Sequence, residues 1–425
     1  MVYDPSVDST GNAVSNLNGN FKITYADQME RVVPDGKKIL QRVKFLSKDK
    51  QPSNAFHQPI VLQMEHGITF ADPDEGAFAL QAPISGLIKN AVVKGYQMVL
   101  RSALSYQAAS RAMGPGDRAF EDATKYLVGA MLESMQKALE VECLYGQKGY
   151  GVVKNAETAG ANVVIELTDA SWAAGIWAGS KGMLLDVADA PNTALVGANS
   201  GANALQVKAV SLENKTITVT TLNANLLGGE NLYRKGSFGK EFAGIHKILT
   251  NTGTLFEIDA SVHELWKGSE FAPSGPETVL TFAILQQAIS KGVEKGLESD
   301  VVAFVNPSHW DDLLTEQAGL RMFDSSYKAD SAESGSRAIK FHSQNGMVEI
   351  VPSIYVKQGH CFILCEEDWV RIGSTDVTFK RPGQGDNFFL DVPDYAGYEL
   401  RAYTDQSIFC KKPGRSIIVT NLKAA

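Results

Sequence analysis

The 425-residue sequence is poor in cysteine and has no long apolar run. Its four cysteines, Cys143, Cys361, Cys365 and Cys410, do not form the spacing framework of a secreted disulfide-rich domain, so synthesis in a reducing cytoplasm is expected. No segment approaches the ~18 uninterrupted apolar residues of a spanning helix, and the start Met1-Val2-Tyr3-Asp4-Pro5 lacks the basic and apolar parts of a signal peptide. Positive charge is in deficit, with 40 Lys and Arg against 48 Asp and Glu and a net charge of −8. A surface built to neutralise nucleic-acid phosphates or anionic lipid is therefore not expected.

The common catalytic signatures are missing too. There is no Walker loop, no HExxH and no GxSxG. His263-Glu264-Leu265-Trp266-Lys267 begins like a zincin but puts Lys267 where the second histidine belongs, so it reads as a surface segment. The seven histidines are dispersed without ligand spacing, and adjacent acids such as Asp311-Asp312 and Glu366-Glu367-Asp368 diverge on any regular element. They read as solvated faces rather than acid/base pairs. The glycines at 146, 149 and 151, or at 383 and 385, do not link a strand to a helix as a phosphate cradle requires. In Cys361-Phe362-Ile363-Leu364-Cys365, strand alternation places both thiols and Ile363 on one face as small buried hydrophobes. Cys143 and Cys410 are core candidates for the same reason.

What is present is ordinary globular material, 44% hydrophobic and 21% charged, enough for a large core and several domains. Residues 1–35, rich in Asn, Ser, Gly and Asp with anchors Leu17, Phe21 and Tyr25, predict an extended arm lying on a surface. Extended stretches follow at Ile39–Leu46, Ile60–Phe70, Ala77–Ile88 and Ala91–Leu104, separated by turn signals such as Asp72-Pro73-Asp74-Glu75-Gly76. They predict a long β-hairpin, marginal alone in water and in need of a surface to pack on, such as another copy of the chain. The basic stretch 37–50, with Arg42, Lys44 and Lys48 alternating with apolar residues, reads as a two-faced strand. Its cationic face is either simply solvated or matched to an acidic strip, Asp72, Asp74 and Glu75, on another subunit.

Gly114-Pro115-Gly116-Asp117 then opens a helix whose apolar register runs from Phe120 to Tyr145 and ends at Gly146 and Gly149. Residues 151–238 carry short β-rich runs among Gly, Ala and Asn loops, which predicts a small inserted antiparallel sandwich or barrel. Beyond it lies an α/β module, with a helix opening at Gly275-Pro276-Glu277, a fully apolar strand Val301–Val305 and a helix capped by Asn306-Pro307. Strands dominate from Val351-Pro352 to the end.

This order of parts (polar arm, long hairpin, long helix ending in Val141-Glu142-Cys143-Leu144-Tyr145-Gly146, α/β module with Phe304-Val305-Asn306-Pro307-Ser308-His309-Trp310) resembles the major capsid proteins of tailed bacteriophages with the Hong Kong 97-like fold. The resemblance covers essentially the whole chain and rests on order and lengths rather than on one motif. It implies an α+β (mixed α/β) class with an N-terminal arm at 1–35, an E-loop at 36–90 and a P-domain at 91–150 carrying a spine helix over 117–145. An inserted small all-β domain at 151–238, an A-domain at 239–366, P-domain return strands at 367–403 and a C-terminal A-domain segment at 404–425 complete the plan.

The implied function is structural, not enzymatic. Pentamers and hexamers of the chain would close into an icosahedral shell around double-stranded DNA, a weak internal neighbour. Assembly would take place in the bacterial host cytoplasm, with a separate scaffolding protein, a portal protein and room for a cement protein. No cofactor, metal, catalytic residue or membrane is expected. The residues nominated for intersubunit contact are Phe21, Tyr25, Arg42, Lys44, Lys48, Asp72, Asp74 and Glu75. Some members of the family weld their shells by lysine–asparagine bonds. Lys44, Lys48 or Lys50 with Asn387 could be nominated for this, but the bend at Asp72–Glu75 carries no lysine and no spacing supports the trio. Two alternatives stand beside this reading: an encapsulin-type compartment enclosing cargo enzymes, and an α/β enzyme with a β-insert, which would need a pocket of convergent titratable groups.

Overall fold

The computed structural model describes residues 36–46, 54–74, 76–105, 118–160, 162–220, 225–322, 339–380, 389–391 and 397–423. The expected arm, with Phe21 and Tyr25, lies outside them, as do Lys48, Lys50, Glu75, Gly383, Gly385 and Asn387.

Where alternation predicts a strand over 39–46, the chain instead forms a one-turn helix, α1 (Ile39–Arg42). Tertiary structure overrides the local pattern. The buried carboxylate of Glu140 accepts the N–H groups of Lys38 and Ile39 at 2.8 Å and of Leu40 at 2.9 Å, satisfying donors that a helix start leaves open. Only after Arg42 does the chain extend, and Phe45 bridges Arg371.

Strands β1 (Phe56–Gln63) and β2 (Leu87–Val93) form an antiparallel ribbon, in register from Phe56↔Val93 to Gln63↔Leu87. The ladder is shorter than the runs 60–70 and 77–88 suggest. Beyond Gln63 the two arms are joined by bonds such as His66 N–H to the Ile84 carbonyl at 3.1 Å and Gln81 N–H to Thr69 Oγ1 at 2.9 Å. The ribbon's root is anchored: Ala91 and Val93 are buried with Ile258, Trp266, Ile372 and Phe409. The run 91–104 is not continuous either. It breaks at Lys94-Gly95, and β3 (Tyr96–Ser105) leaves the ribbon for another sheet. A Cβ at Gly95 would meet the Asp405 carboxylate, which would have to move.

Helix α2 (Arg118–Tyr145) has 28 residues, about 42 Å at 1.5 Å per residue. Its C-terminal half is buried through Met131, Met135, Ala138, Leu139, Leu144 and Tyr145. It stops where Gly146 lies so close to the Phe242 carbonyl that no side chain fits.

Strands β4 (Gly151–Ala159) and β5 (Asn162–Leu167) follow, then the single turn α3 (Ala174–Trp177) and strands β6 (Leu184–Ala188), β7 (Leu205–Ser211), β8 (Thr216–Thr220) and β9 (Asn231–Arg234). The six strands close into a barrel in the order β4-β5-β8-β7-β6-β9. Alternate residues fill it, among them Val163, Ile165 and Leu167 of β5 and Ile217 and Val219 of β8. Closure removes the open edges that a small sheet otherwise exposes.

The remainder is built on a six-stranded sheet. Helix α4 (Ile245–Leu249) and the short hairpin β10 (Thr254–Leu255) and β11 (Ile258–Asp259) lead to β12 (Ser269–Phe271), α5 (Phe282–Glu294), β13 (Val301–Val305) and α6 (Pro307–Met322). Strands β14 (Ile339–His342), β15 (Met347–Pro352) and β16 (Cys361–Leu364) follow, then β17 (Trp369–Thr378), β18 (Phe389–Asp391), β19 (Gly397–Cys410) and β20 (Ile417–Val419). The sheet order is β12-β20-β16-β13-β15-β14. Helix α5 begins later than Gly275-Pro276-Glu277 suggests, because Thr281 supplies the cap and accepts the Ile284 N–H at 3.3 Å. Asn306 caps α6 as expected, accepting from Ser308 N at 3.1 Å.

Both sheet faces are covered. Val301, Ala303, Val305, Cys361, Ile363 and Cys365 pack with α5, while Val302, Phe304, Phe362 and Leu364 pack with the end of α2 and with α4. The cysteine alternation read from the sequence is the one observed. A second sheet orders β17-β19-β18, with β3 on the other edge of β19 in register from Gly397↔Ser105 to Gln406↔Tyr96.

Candidate functional site

Beyond its ladder the ribbon carries large apolar side chains in water: Phe70 is 88% exposed, Leu80 79%, Met64 76% and Ile68 64%. Large apolar side chains exposed together on one ribbon make it a candidate interaction surface. The ribbon rises from a buried root formed by Ala91, Val93, Ile258, Trp266, Ile372 and Phe409.

The nominated contact residues fall into three groups. Asp72 and Asp74, at the bend of the ribbon, are exposed, and so is Lys44. Arg42 is used within the chain: it pairs with Glu349 on β15 at 2.7 Å and with Glu366 at 2.8 Å, tying α1 to the six-stranded sheet. Phe21, Tyr25, Lys48 and Glu75 lie outside the described residues. The solvated-face reading of Glu366-Glu367-Asp368 needs correction, because Glu366 is the partner of Arg42 and Asp368 is buried. Burial pushes the Asp368 carboxyl above its ordinary range.

Dispersion of the histidines in sequence conceals a meeting in space. His246 of α4 and His360, just before β16, face each other with their Nε2 atoms 3.4 Å apart. The rings are perpendicular, at 86° and 4.8 Å between centroids. Both also pack against Tyr145, the last residue of α2, at 6.0 and 6.2 Å between centroids. The Lys357 ammonium lies 4.1 Å over the Tyr145 ring and donates to the Gly149 carbonyl at 2.9 Å. The backbone N–H of Lys357 donates to Tyr145 Oη at 2.7 Å.

These groups are bases out of water. Burial, with Lys357 and Lys148 adding repulsion, holds His360 down at about 3, and burial with His360 nearby holds His246 well below the ordinary histidine range. Burial and then Lys148 bring Lys357 to about 7. Two imidazoles with lysines as their nearest charges are poorly suited to a metal cation. Among the described residues no group of three His, Cys, Asp or Glu is placed to hold one.

A second buried set closes the neck between α2 and the barrel. Glu142 accepts from Tyr150 Oη at 3.0 Å, and Glu241 accepts the Gln147 N–H at 2.7 Å. Burial raises both carboxyls, Glu142 further because of the neighbouring Glu241 charge, while Arg234 opposes the rise in each. The one sequence signal was an acid inside the apolar run Val141-Glu142-Cys143-Leu144. The thiols are inert by environment, since burial raises Cys143, Cys361 and Cys410. A cleft of about 330 Å³ between α1, α2 and β17 is lined by Lys37, Leu132, Leu139 and the Arg371–Asp376 ion pair. No nucleophile–base pair is formed by the groups named here.

No family model matches the sequence, and no curated protein matches it. Among solved structures, the chain is similar to the capsid protein of Cyanophage A-1(L), with a TM-score of 0.56 and 11% identity over 96% of this chain and 99% of that one. The capsid of a native GTA particle aligns at a TM-score of 0.49 and 10% identity, covering 98% of this chain and 100% of that one. An encapsulin from Synechococcus elongatus aligns at 0.43 and 7%, covering 98% of each chain. The likeness to the cyanophage chain runs nearly end to end in both. The fold is that of a phage capsid protein, and it is α+β as the sequence predicts.

Proposed function

We propose that this chain is the major capsid protein of a tailed phage, a structural subunit that polymerises through pentamers and hexamers into an icosahedral shell around double-stranded DNA. The observation that carries the reading is the exposed apolar ribbon on a chain with a capsid-protein fold. A surface such as Phe70, Met64 and Leu80 is costly to leave in water, at roughly 25 cal/mol per Å². Contacts with neighbouring copies remove that cost, and head-to-tail contacts of this kind close into rings.

In this reading residues 36–90 are the E-loop and α2 is the spine helix. The sheet of β3, β17, β18 and β19 belongs to the P-domain, the six-stranded sheet is the A-domain, and the β4–β9 barrel is the insertion, standing outside the minimal plan and bracing or decorating the capsomer. Asp72 and Asp74 at the ribbon's bend face the cationic strip that includes Lys44 on the next subunit, whereas Arg42 is spent within its own chain. The net charge of −8 suits a container that does not grip its genome. A separate scaffolding protein and a portal protein are the partners of this reading, with room for a cement protein. A structural, non-enzymatic role follows.

The test is to express the full chain alone and with a candidate scaffold, and to image the products and assay their contents. Closed shells that package DNA with a portal present support the reading. Shells of the same kind that enclose only an enzyme cargo would instead make it an encapsulin-type compartment.

A further inference from the structure

Three segments meet at the buried bases: the end of α2 (Tyr145), α4 (His246) and the 353–360 loop, which carries Lys357 and, just before β16, His360. Within their perpendicular ring contact, the polar contact between His246 and His360 is between the two Nε2 atoms, at 3.4 Å. Their Nδ1 atoms are buried without a protein hydrogen-bond partner among the described residues. Such a contact suits neutral rings, one Nε2–H pointing at the other's lone pair. Protonating either ring puts an N–H on both of its nitrogens and places a new cation beside two ammonium groups.

The surroundings offer that cation little. From α2 and the turn after it come Tyr145 and Lys148, from the 353–360 loop Lys357, and from α4 Lys247, which acts on Lys148. Glu241 acts on Lys357 and Glu270 on Lys148, and among the described residues no acid acts on either imidazole. Among the described residues no carboxylate hydrogen-bonds to either imidazole.

We propose that the His246–His360 contact is an acid-operated release in the joint between the long helix and the six-stranded sheet. Protonation of either ring parts α4 from the 353–360 loop. It thereby loosens the Lys357 N–H to Tyr145 and Lys357 Nζ to Gly149 bonds, which hold the turn entering the barrel. Helix α5 covers the opposite face of the sheet in a separate core and is not part of the release. The inference concerns the single chain and does not depend on the shell reading.

The test is hydrogen exchange by mass spectrometry on the full-length chain, with exchange times corrected for pH, comparing wild type with the double variant His246→Phe/His360→Phe. In wild type, protection of 141–150, 245–250 and 353–362 should fall about tenfold or more between pH 7 and about pH 4.5 while 282–294 stays protected, and in the variant the fall should be less than about twofold. Equal losses in the two proteins, or loss in 282–294 at the same pH as in the joint, would overturn the proposal. If the double variant does not fold, NMR of wild type carrying ¹³C-labelled histidine decides alone. Both rings must stay neutral until protection is lost, and a ring that titrates near its ordinary pKa of ~6.5 with protection intact refutes the release.

Discussion

Glu140, deep on the long helix, receives the backbone N–H of Ile39 at 2.8 Å, and its two oxygens take the N–H groups of Lys38 and Leu40 as well. One buried acid thus fixes where the segment preceding the ribbon docks and gives it a helical turn. Burial raises the Glu140 carboxyl while these three bonds work against the rise.

Removing that acceptor should be expensive. Glu140→Ala leaves three N–H groups without their partner and should destabilise the chain by about 3 kcal/mol or more, because unmet buried donors carry their full desolvation cost. Glu140→Gln keeps one carbonyl acceptor and should lose less. Denaturant unfolding measures the loss, and proteolysis within 36–46 ahead of global unfolding locates it.

Arg42→Ala should be mild by comparison. The side chains of Arg42, Glu349 and Glu366 are 26%, 28% and 37% exposed, so solvent screens the pairs and a loss below about 1 kcal/mol is expected. Thermal melts of Arg42→Ala and Glu140→Ala side by side test the ranking. An Arg42 variant as damaged as the Glu140 one would contradict it.

The contrast between these two residues shows what the sequence makes legible. Val301–Val305, the Cys361–Cys365 alternation and the Asn306-Pro307 cap could be read directly, because period and capping chemistry are local. The turn at 39–42 could not, because its cause sits 101 positions away at Glu140. The same holds for His246 and His360, which are 114 positions apart and are brought together only by the packing of α4 on the sheet. The ribbon was legible as extended chain, but its ladder length was not, since the regular strand register ends at Gln63 and Leu87 although the apolar residues continue.

Phe70→Asp and Leu80→Asp should separate folding from assembly. Both side chains are largely in water in the single chain, so subunit stability should move by less than about 0.5 kcal/mol. Particle yield should fall sharply, because a charge would then enter the apolar contact. Unfolding curves and sedimentation profiles of the same preparations read the two effects, and normal particles from both variants would refute the ribbon's role.

Charge at the bend gives a finer test of the same contact. Asp72→Lys with Asp74→Lys should weaken assembly, more so at low salt, and Lys44→Glu in the same chain should restore part of it. Light scattering across a salt series follows the effect. No dependence on the sign of these charges would remove Lys44 from the contact.

The Glu142–Glu241 neck should make stability fall toward alkaline pH. A carboxyl whose folded pKa is raised holds its proton better in the native state, so its contribution is present at acid pH and lost as pH rises from the unfolded value near ~4.3 through the folded one. Glu142→Gln removes that titration and still offers an oxygen to Tyr150. It should therefore exceed wild type in stability by about 1 kcal/mol or more at about pH 8, with the gap closing near pH 4. Urea unfolding at the two pH values checks the sign, and a variant less stable than wild type at both would contradict it.

The central claim is that the chain exists to meet copies of itself. Electron microscopy with light scattering of the full-length protein, alone and with a candidate scaffold in low and high salt, tests it most directly. The account predicts shells, tubes or rings of five and six. A stable monomer or small dimer under every condition would contradict it.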